Sequence, residues 1–259
     1  MNAASDMSAQ DTGMPTVVLI HGAFAGSSSW NGVIANLKGR GYPVIAVANP
    51  LRGVQKDAAY VRALVDSLPG PVVMAAHSYG GLVMTEAADG AANVKALVYV
   101  ASVSPDVGES VIDLVGKYPG SQLPTSITMV PIPSEDGGMD MDQYIKVDMF
   151  PEVFAADVDR GTAEIMAATQ RPATASAQVG SVTKTAWKTI PSWTVISTQD
   201  QGIPPDLQRF LADRAKSTVV EIDGSHAVAV SQPDAVADVI DTAARATTRV
   251  MQMSKSRQR

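Results

Sequence analysis

The chain alternates between short runs of Val, Ile, Leu and Ala and longer stretches in which apolar residues return every three or four positions. Thr16–Ile20 (TVVLI) is apolar without alternation, the mark of a strand covered on both faces. Ser27 to Ser29 offer N-caps for a helix through Leu37, which Gly39 and Gly41 end. Val44–Ala48 reads as a second strand and Asp57–Leu68 as a second helix, with apolar spacing at Val61, Leu64, Val65 and Leu68. Pro71–Ala75 is a third strand, Leu82–Ala88 a helix and Val94–Val100 a fourth strand. Far downstream come a strand at Trp193–Ser197, a helix at Asp206–Ala215 and a strand at Thr218–Ile222. A helix from Pro233 to about Ala244, capped by Ser231, closes the pattern.

Val/Ile-rich strands that alternate with amphipathic helices are βαβ units, so the fold class is α/β with a mainly parallel sheet covered on both faces. One segment interrupts the rhythm. From Ser104 to Lys188 the sequence is rich in Pro, Gly, Asp and Met, shows no strong strand, and offers only short helical pieces at Asp142–Met149 and Ala163–Ala168. An insertion of that length in a compact domain is usually functional. It is expected to cap the carboxyl edge of the sheet. The organisation is then a leader over 1–14, a core over 15–103 and 189–247, a cap over 104–188 and a flexible basic tail over 248–259.

Composition removes several classes of function. There is no cysteine among the 259 residues, so disulfides, thiolate nucleophiles and Cys-ligated metals are out. Three histidines, at 21, 77 and 226, are too scattered to suggest a metal site. A net charge of −6 argues against nucleic acid as a partner, which needs clustered Lys and Arg. No apolar run approaches the roughly 20 residues of a membrane span. The opening MNAASDMSAQDTG has no basic start followed by an apolar stretch, so it does not read as a signal peptide, and a cytoplasmic location is expected.

The chemistry concentrates where strands end. Ala76-His77-Ser78-Tyr79-Gly80-Gly81 follows an apolar run and opens a helix. A serine held up for attack needs a sharp turn with small residues two positions either side, here Ala76 and Gly80. A nucleophilic serine needs a base, and the base an orienting acid. His226, in Asp223-Gly-Ser-His226, is the histidine that follows a strand near the end of the chain, and Asp200 directly follows the strand before it. Asp106, after the fourth strand, is the alternative acid; Asp223 stands too close in sequence to reach behind the His226 ring. For a developing oxyanion, the backbone N–H groups of Ala23, after the His21-Gly22 turn, and of Tyr79, after the serine, are the candidate donors. His21 and His77 read as structural, Phe24 as a candidate pocket residue, and Trp30, Trp187 and Trp193 as core or cap-base residues. Five of the 12 methionines, at 129, 139, 141, 149 and 166, fall in the cap, as pocket wall or as packing onto the sheet.

HGAFAGSSSW, AHSYGG, STQDQGIPP and DGSHAVAVSQP together resemble the α/β-hydrolase superfamily from about residue 15 to 246, least so in the cap. The compact start looks like the branch that holds plant methyl-ester hydrolases and hydroxynitrile lyases. The resemblance implies a six-stranded sheet, no cofactor, no metal, and an acyl-enzyme mechanism on a small-molecule ester. It assigns Ser78 as nucleophile, His226 as base, Asp200 as acid, and Ala23 with Tyr79 as the oxyanion hole. The lyases of that branch carry threonine where Gly22 stands and lysine where Ala227 stands; both departures favour ester hydrolysis. A carbon–carbon bond hydrolase uses the same three residues, and receptor-like members keep them while only binding ligand. No Arg or Lys adjoins a catalytic motif, which points to a small or medium neutral ester or lactone.

Overall fold

The computed structural model describes residues 14–134 and 137–257, side chains from 248 onward excepted. The expected leader up to residue 13 and the end of the expected tail at 258–259 lie outside them. Up to the interruption, the chain runs β1 (Thr16–Ile20), a 3₁₀ turn (Ser27–Trp30), α1 (Asn31–Gly39), β2 (Val44–Val47), α2 (Val54–Ser67), β3 (Val72–Ser78), α3 (Gly80–Ala88) and β4 (Val94–Ser102). The intervening segment supplies α4 (Val111–Val115), α5 (Leu123–Ser126), β5 (Ile127–Pro133), β6 (Met139–Ile145), α6 (Phe150–Phe154), α7 (Arg160–Thr169), β7 (Ala173–Thr174) and α8 (Ala175–Val179). After a 3₁₀ turn at Ala186–Lys188 come β8 (Ser192–Ser197), α9 (Pro205–Arg214), β9 (Thr218–Ile222), α10 (Val228–Ser231) and α11 (Pro233–Arg257).

Six parallel strands form one sheet in the order β2-β1-β3-β4-β8-β9. Alternate residues of a strand face opposite ways. Val18, Ile20, Met74 and Ala76 therefore join Val61 of α2 and Leu82 of α3 in one buried cluster. Val17, Leu19, Val73 and Ala75 join Leu37 of α1 and Ile240 of α11 in another. Each fully buried Val, Leu, Ile or Met among them contributes on the order of 2 kcal/mol of transfer free energy, and each alanine methyl about 0.8 kcal/mol. The strand order reverses between β1 and β3. A crevice outside the carboxyl ends of the strands at such a reversal is where open α/β sheets take ligands.

The intervening segment departs from the sequence expectation. It holds an antiparallel sheet, β5-β6-β7, with Met129 opposite Gln143. Asp142 falls in β6 and the helix begins only at Phe150, so the helix expected over Asp142–Met149 is absent; the piece at Ala163–Ala168 lies inside α7. The hairpin escapes detection because β5 is an edge strand, largely exposed, where Pro131 and Pro133 cost no ladder bond to a further strand. At the other end, α11 runs well past Ala244 to Arg257, since no Gly or Pro interrupts Arg245–Arg257. Ser231 does not cap it. That residue closes α10, and its hydroxyl is buried without a partner among the described residues.

Candidate active site

The turns that end β1 and β3 meet. Ser78 stands at φ +53°, in the left-handed region that costs a non-glycine residue of order 1 kcal/mol or more. Packing enforces the conformation: a Cβ on Gly80 would lie 2.8 Å from the Ile20 carbonyl oxygen, so the helix after the serine can start this close to β1 only as glycine. A Cβ on Gly22 would lie 2.6 Å from the Cβ of Ser78. The two turns are thus in direct contact, which sets Ala23 beside the serine turn.

The structure brings together the serine, the first-choice acid and the histidine. His226 Nε2 lies 2.9 Å from Ser78 Oγ, and His226 Nδ1 lies 2.7 Å from Asp200 Oδ2. A carboxylate facing Nδ1 places the ring proton there, which leaves Nε2 to accept from the serine hydroxyl. Asp200 is itself held: Oδ1 accepts from the backbone N–H of Gly202 at 2.7 Å and of Ile203 at 2.9 Å, and Oδ2 from Gln208 Nε2 at 2.9 Å. All three residues are buried. Asp106 is elsewhere. It pairs with Lys188 at 2.6 Å, and this hydrogen bond holds its carboxyl below the usual range. Asp223 is exposed and accepts from Thr198 Oγ1.

The other histidines hold the frame. His21 Nδ1 donates to the Gly22 carbonyl at 2.9 Å, and Nε2 accepts from the Asn49 N–H at 3.1 Å. Burial pushes its pKa down to about 4, so the ring stays neutral and keeps both bonds. His77 Nε2 donates to the His226 carbonyl at 2.8 Å, and burial holds its pKa well below the ordinary histidine value. Tyr79 donates its hydroxyl to Asp57 Oδ2 at 2.9 Å, while Asp57 also accepts from the Arg52 N–H. Burial raises the pKa of both Asp57 and Tyr79.

Sequence reading misses several of these. Gln208 is fully buried and bridges Asp200, the Ile203 carbonyl and the Ser197 N–H; the available signal is a glutamine on the apolar face of α9. Phe154 of α6 sets its ring edge-on to His226, with centroids 4.9 Å apart. Asp57 reads in sequence only as the start of a helix. No local pattern marks Phe154 or Asp57, because their partners lie far along the chain.

Beside this corner lies a cavity of about 470 Å³, walled by Phe24, Val111, Val115, Leu123, Ile127 and Met129 among others. Ser78 is not one of its wall residues; Phe24, adjacent to Ala23, connects the two. Of the five methionines, Met129 alone lines the cavity wall, and Met166 packs against the core. Among the described residues no group of three or more His, Asp or Glu side chains is placed to hold a metal ion, and no helix is long and apolar enough to cross a membrane.

Comparison with known proteins agrees with this architecture. The chain is 24% identical over 247 residues to a probable hydrolase, R7, of Phoma sp., covering 87% of this chain and 96% of that one. It is 23% identical to the alpha/beta hydrolase nvfD of Aspergillus novofumigatus, covering 89% and 96%. Among solved structures, polyneuridine aldehyde esterase superposes with a TM-score of 0.77 at 17% identity, over 88% of this chain and 98% of that one. A pyrethroid hydrolase from Sphingobium faniae JZ-2 gives 0.73 at 21%, over 91% and 99%. A methylesterase from Arabidopsis gives 0.72 at 17%, over 88% and 98%. These structural likenesses establish the shared fold, and the sequence profile of the alpha/beta hydrolase family matches residues 17–239. The chain belongs to the alpha/beta hydrolase family.

Proposed function

We propose that this hydrolase cleaves a small-to-medium neutral carboxylic ester or lactone through an acyl-enzyme on Ser78. The observation that carries the reading is the hydrogen-bonded chain Ser78 Oγ–His226 Nε2 and His226 Nδ1–Asp200 Oδ2, at a serine of positive φ. In the first step Ser78 Oγ attacks the ester carbonyl carbon while its proton passes to His226 Nε2. Asp200 holds the ring and stabilises the imidazolium. The N–H groups of Ala23 and Tyr79 stabilise the oxyanion, each good donor contributing about 3 kcal/mol. Collapse of the tetrahedral intermediate breaks the bond to the alcohol, which takes the proton from Nε2. Water then attacks the acyl-enzyme, gives its proton to Nε2, and the acid leaves as Ser78 regains its hydrogen. Residues 104–188 act as the cap over this site.

An ester is supported by the names of the structural neighbours, esterases and a pyrethroid hydrolase among them. A neutral one is supported by the apolar wall of the cavity. The test is hydrolysis of p-nitrophenyl esters from acetate to dodecanoate by wild type and Ser78→Ala. A loss of ~10⁴-fold or more in kcat/KM is expected for the variant. Equal rates in the two proteins would overturn the reading.

A further inference from the structure

Buried glutamines in this protein fall into two kinds. Gln208 has every side-chain polar atom engaged: Oε1 accepts from the Ser197 N–H at 3.1 Å, and Nε2 donates to Asp200 Oδ2 at 2.9 Å and to the Ile203 carbonyl at 2.8 Å. Gln143 and Gln178 are also buried, 9% and 8% exposed, and both line the 470 Å³ cavity. Among the described residues neither carboxamide has a hydrogen-bond partner. The register explains how Gln143 comes to be there. It lies directly opposite Met129 across the β5–β6 hairpin, and opposed residues share a face, so both reach the cavity. Leucine or methionine at position 143 would complete an apolar wall. The side-chain nitrogens and oxygens of Gln143 and Gln178 are not among the enclosed atoms that lack a partner, so they stay accessible and their donors and acceptors are open to whatever occupies the cavity.

We propose that Gln143 and Gln178 form a polar recognition subsite for the non-reacting part of the substrate. That part is an apolar ring or chain that carries one neutral oxygen, a carbonyl or a hydroxyl, remote from the scissile ester. A carboxamide donates through its nitrogen and accepts through its oxygen, so the pair suits either oxygen function and repels neither. A cationic or anionic group has no counter-charge in the wall, whose members are all uncharged. The cavity volume lies in the range of sites that enclose a whole small ligand. This inference rests on the ester-hydrolase reading for the reaction, with Phe24 as the link between the cavity and the reacting corner. It adds what the reaction alone leaves open: which esters the enzyme prefers.

Matched ester pairs test it. On the acyl side they are p-nitrophenyl cyclohexanecarboxylate and its 4-oxo analogue; on the alcohol side, cyclohexyl acetate and 4-oxocyclohexyl acetate. A site built to hydrogen-bond an oxygen discriminates against the analogue that lacks it. Wild type is expected to favour the oxo ester by about tenfold or more in kcat/KM in at least one pair. The double variant Gln143→Leu/Gln178→Leu is expected to lose that preference while still folding and hydrolysing the ester without the oxo group, because neither carboxamide bonds to the protein among the described residues. Absence of preference in both pairs, or a preference that survives in the double variant, would overturn the subsite. Binding separates this from failure of the reaction itself. In Ser78→Ala, methyl 4-oxocyclohexanecarboxylate is expected to raise the melting temperature more than methyl cyclohexanecarboxylate does, and the Gln143→Leu/Gln178→Leu changes are expected to remove the difference. That result standing while Ser78→Ala still hydrolyses esters would sink the serine mechanism and leave the subsite intact.

Discussion

The corner at the carboxyl ends of β3, β8 and β9 and the cavity beside it, walled largely by residues between 111 and 178, are neighbours built on opposite rules. In the corner, each catalytic candidate is held by a second residue and often by a third: Gln208, Gly202 and Ile203 on Asp200, His77 and Phe154 on His226, Asp57 on Tyr79. In the cavity, polar atoms stand without protein partners among apolar walls. The first arrangement fixes geometry ahead of the reaction, which is what electrostatic stabilisation of a transition state needs. The second leaves hydrogen bonds to be made by whatever enters. On the proposed function, one region is preorganised for a reaction and the other is left open for a choice of substrate.

The contrast is sharpest at the acid. If orientation through Asp200 matters, Asp200→Asn is expected to lower kcat by about 10⁴-fold, since an amide facing Nδ1 favours the wrong histidine tautomer. Asp106→Asn removes only a half-exposed pair with Lys188 and is expected to stay within about threefold of wild type. Steady-state rates on one p-nitrophenyl ester decide between them. Comparable losses in both variants would break the assignment of roles.

The frame of the corner has its own signature in pH. His21 has its pKa pushed down to about 4 in the folded protein, against about 6.5 in an unfolded chain. Below 6.5 the unfolded state takes up a proton that the folded state refuses. Stability is therefore complete above 6.5 and falls as pH drops towards 4. The contribution from His21 is about 3 kcal/mol. Urea unfolding of wild type and His21→Gln at pH 7.5 and pH 4.5 measures it, because groups common to both cancel. A pH dependence identical in the two proteins would show that His21 is not the group responsible.

How much of this is legible in the sequence follows the same division. Thr16–Ile20 and Thr218–Ile222 match their strands residue for residue, and Ser78, Asp200 and His226 are nominated from strand ends and chain order alone. Parallel βαβ units make that possible, because they carry every strand's carboxyl end to one edge. The hairpin of β5 and β6 is not legible, since an exposed edge strand with two prolines lacks both the apolar run and the alternation that mark a strand. The contacts of Phe154 with His226, of Asp57 with Tyr79 and of Gln143 with Met129 join residues that no local pattern connects. A buried glutamine and an exposed one look alike in a sequence, and the hydrogen-bond partners that tell Gln208 from Gln143 appear only in the folded chain.

Asp57 tests how far the corner's rigidity extends. Its carboxylate, fully buried in the core, receives the Tyr79 hydroxyl and the Arg52 N–H, so it holds the residue whose backbone N–H is assigned to the oxyanion. Asp57→Asn keeps an acceptor for one donor and presents an NH₂ to the other. A fall in kcat of about tenfold, or ~1.4 kcal/mol, with KM little changed is expected, as an oxyanion donor acts on the transition state and not on the bound ester. A rise in KM at constant kcat would instead place Asp57 in substrate binding.

The smallest expected effect lies at the joint between the two regions. Arg52, next to that buried carboxylate network, forms an ion pair with Asp142 on β6 of the intervening segment, and Leu51 accepts a hydrogen bond from the Thr174 N–H of β7. The Arg52 side chain is 39% exposed, so the pair is screened and contributes under about 1 kcal/mol. Arg52→Gln removes the charge and leaves the backbone N–H on Asp57. The melting temperature is expected to drop by about 3 °C or less. In about 1 M salt, where the screening length is roughly 3 Å, the difference from wild type is expected to disappear. A deficit that persists at high salt would mean that the arginine acts by packing, and that the intervening segment and the corner are joined as one rigid unit. Salt-sensitive loss with unchanged kcat would instead show an intervening segment that can loosen while the corner keeps its geometry.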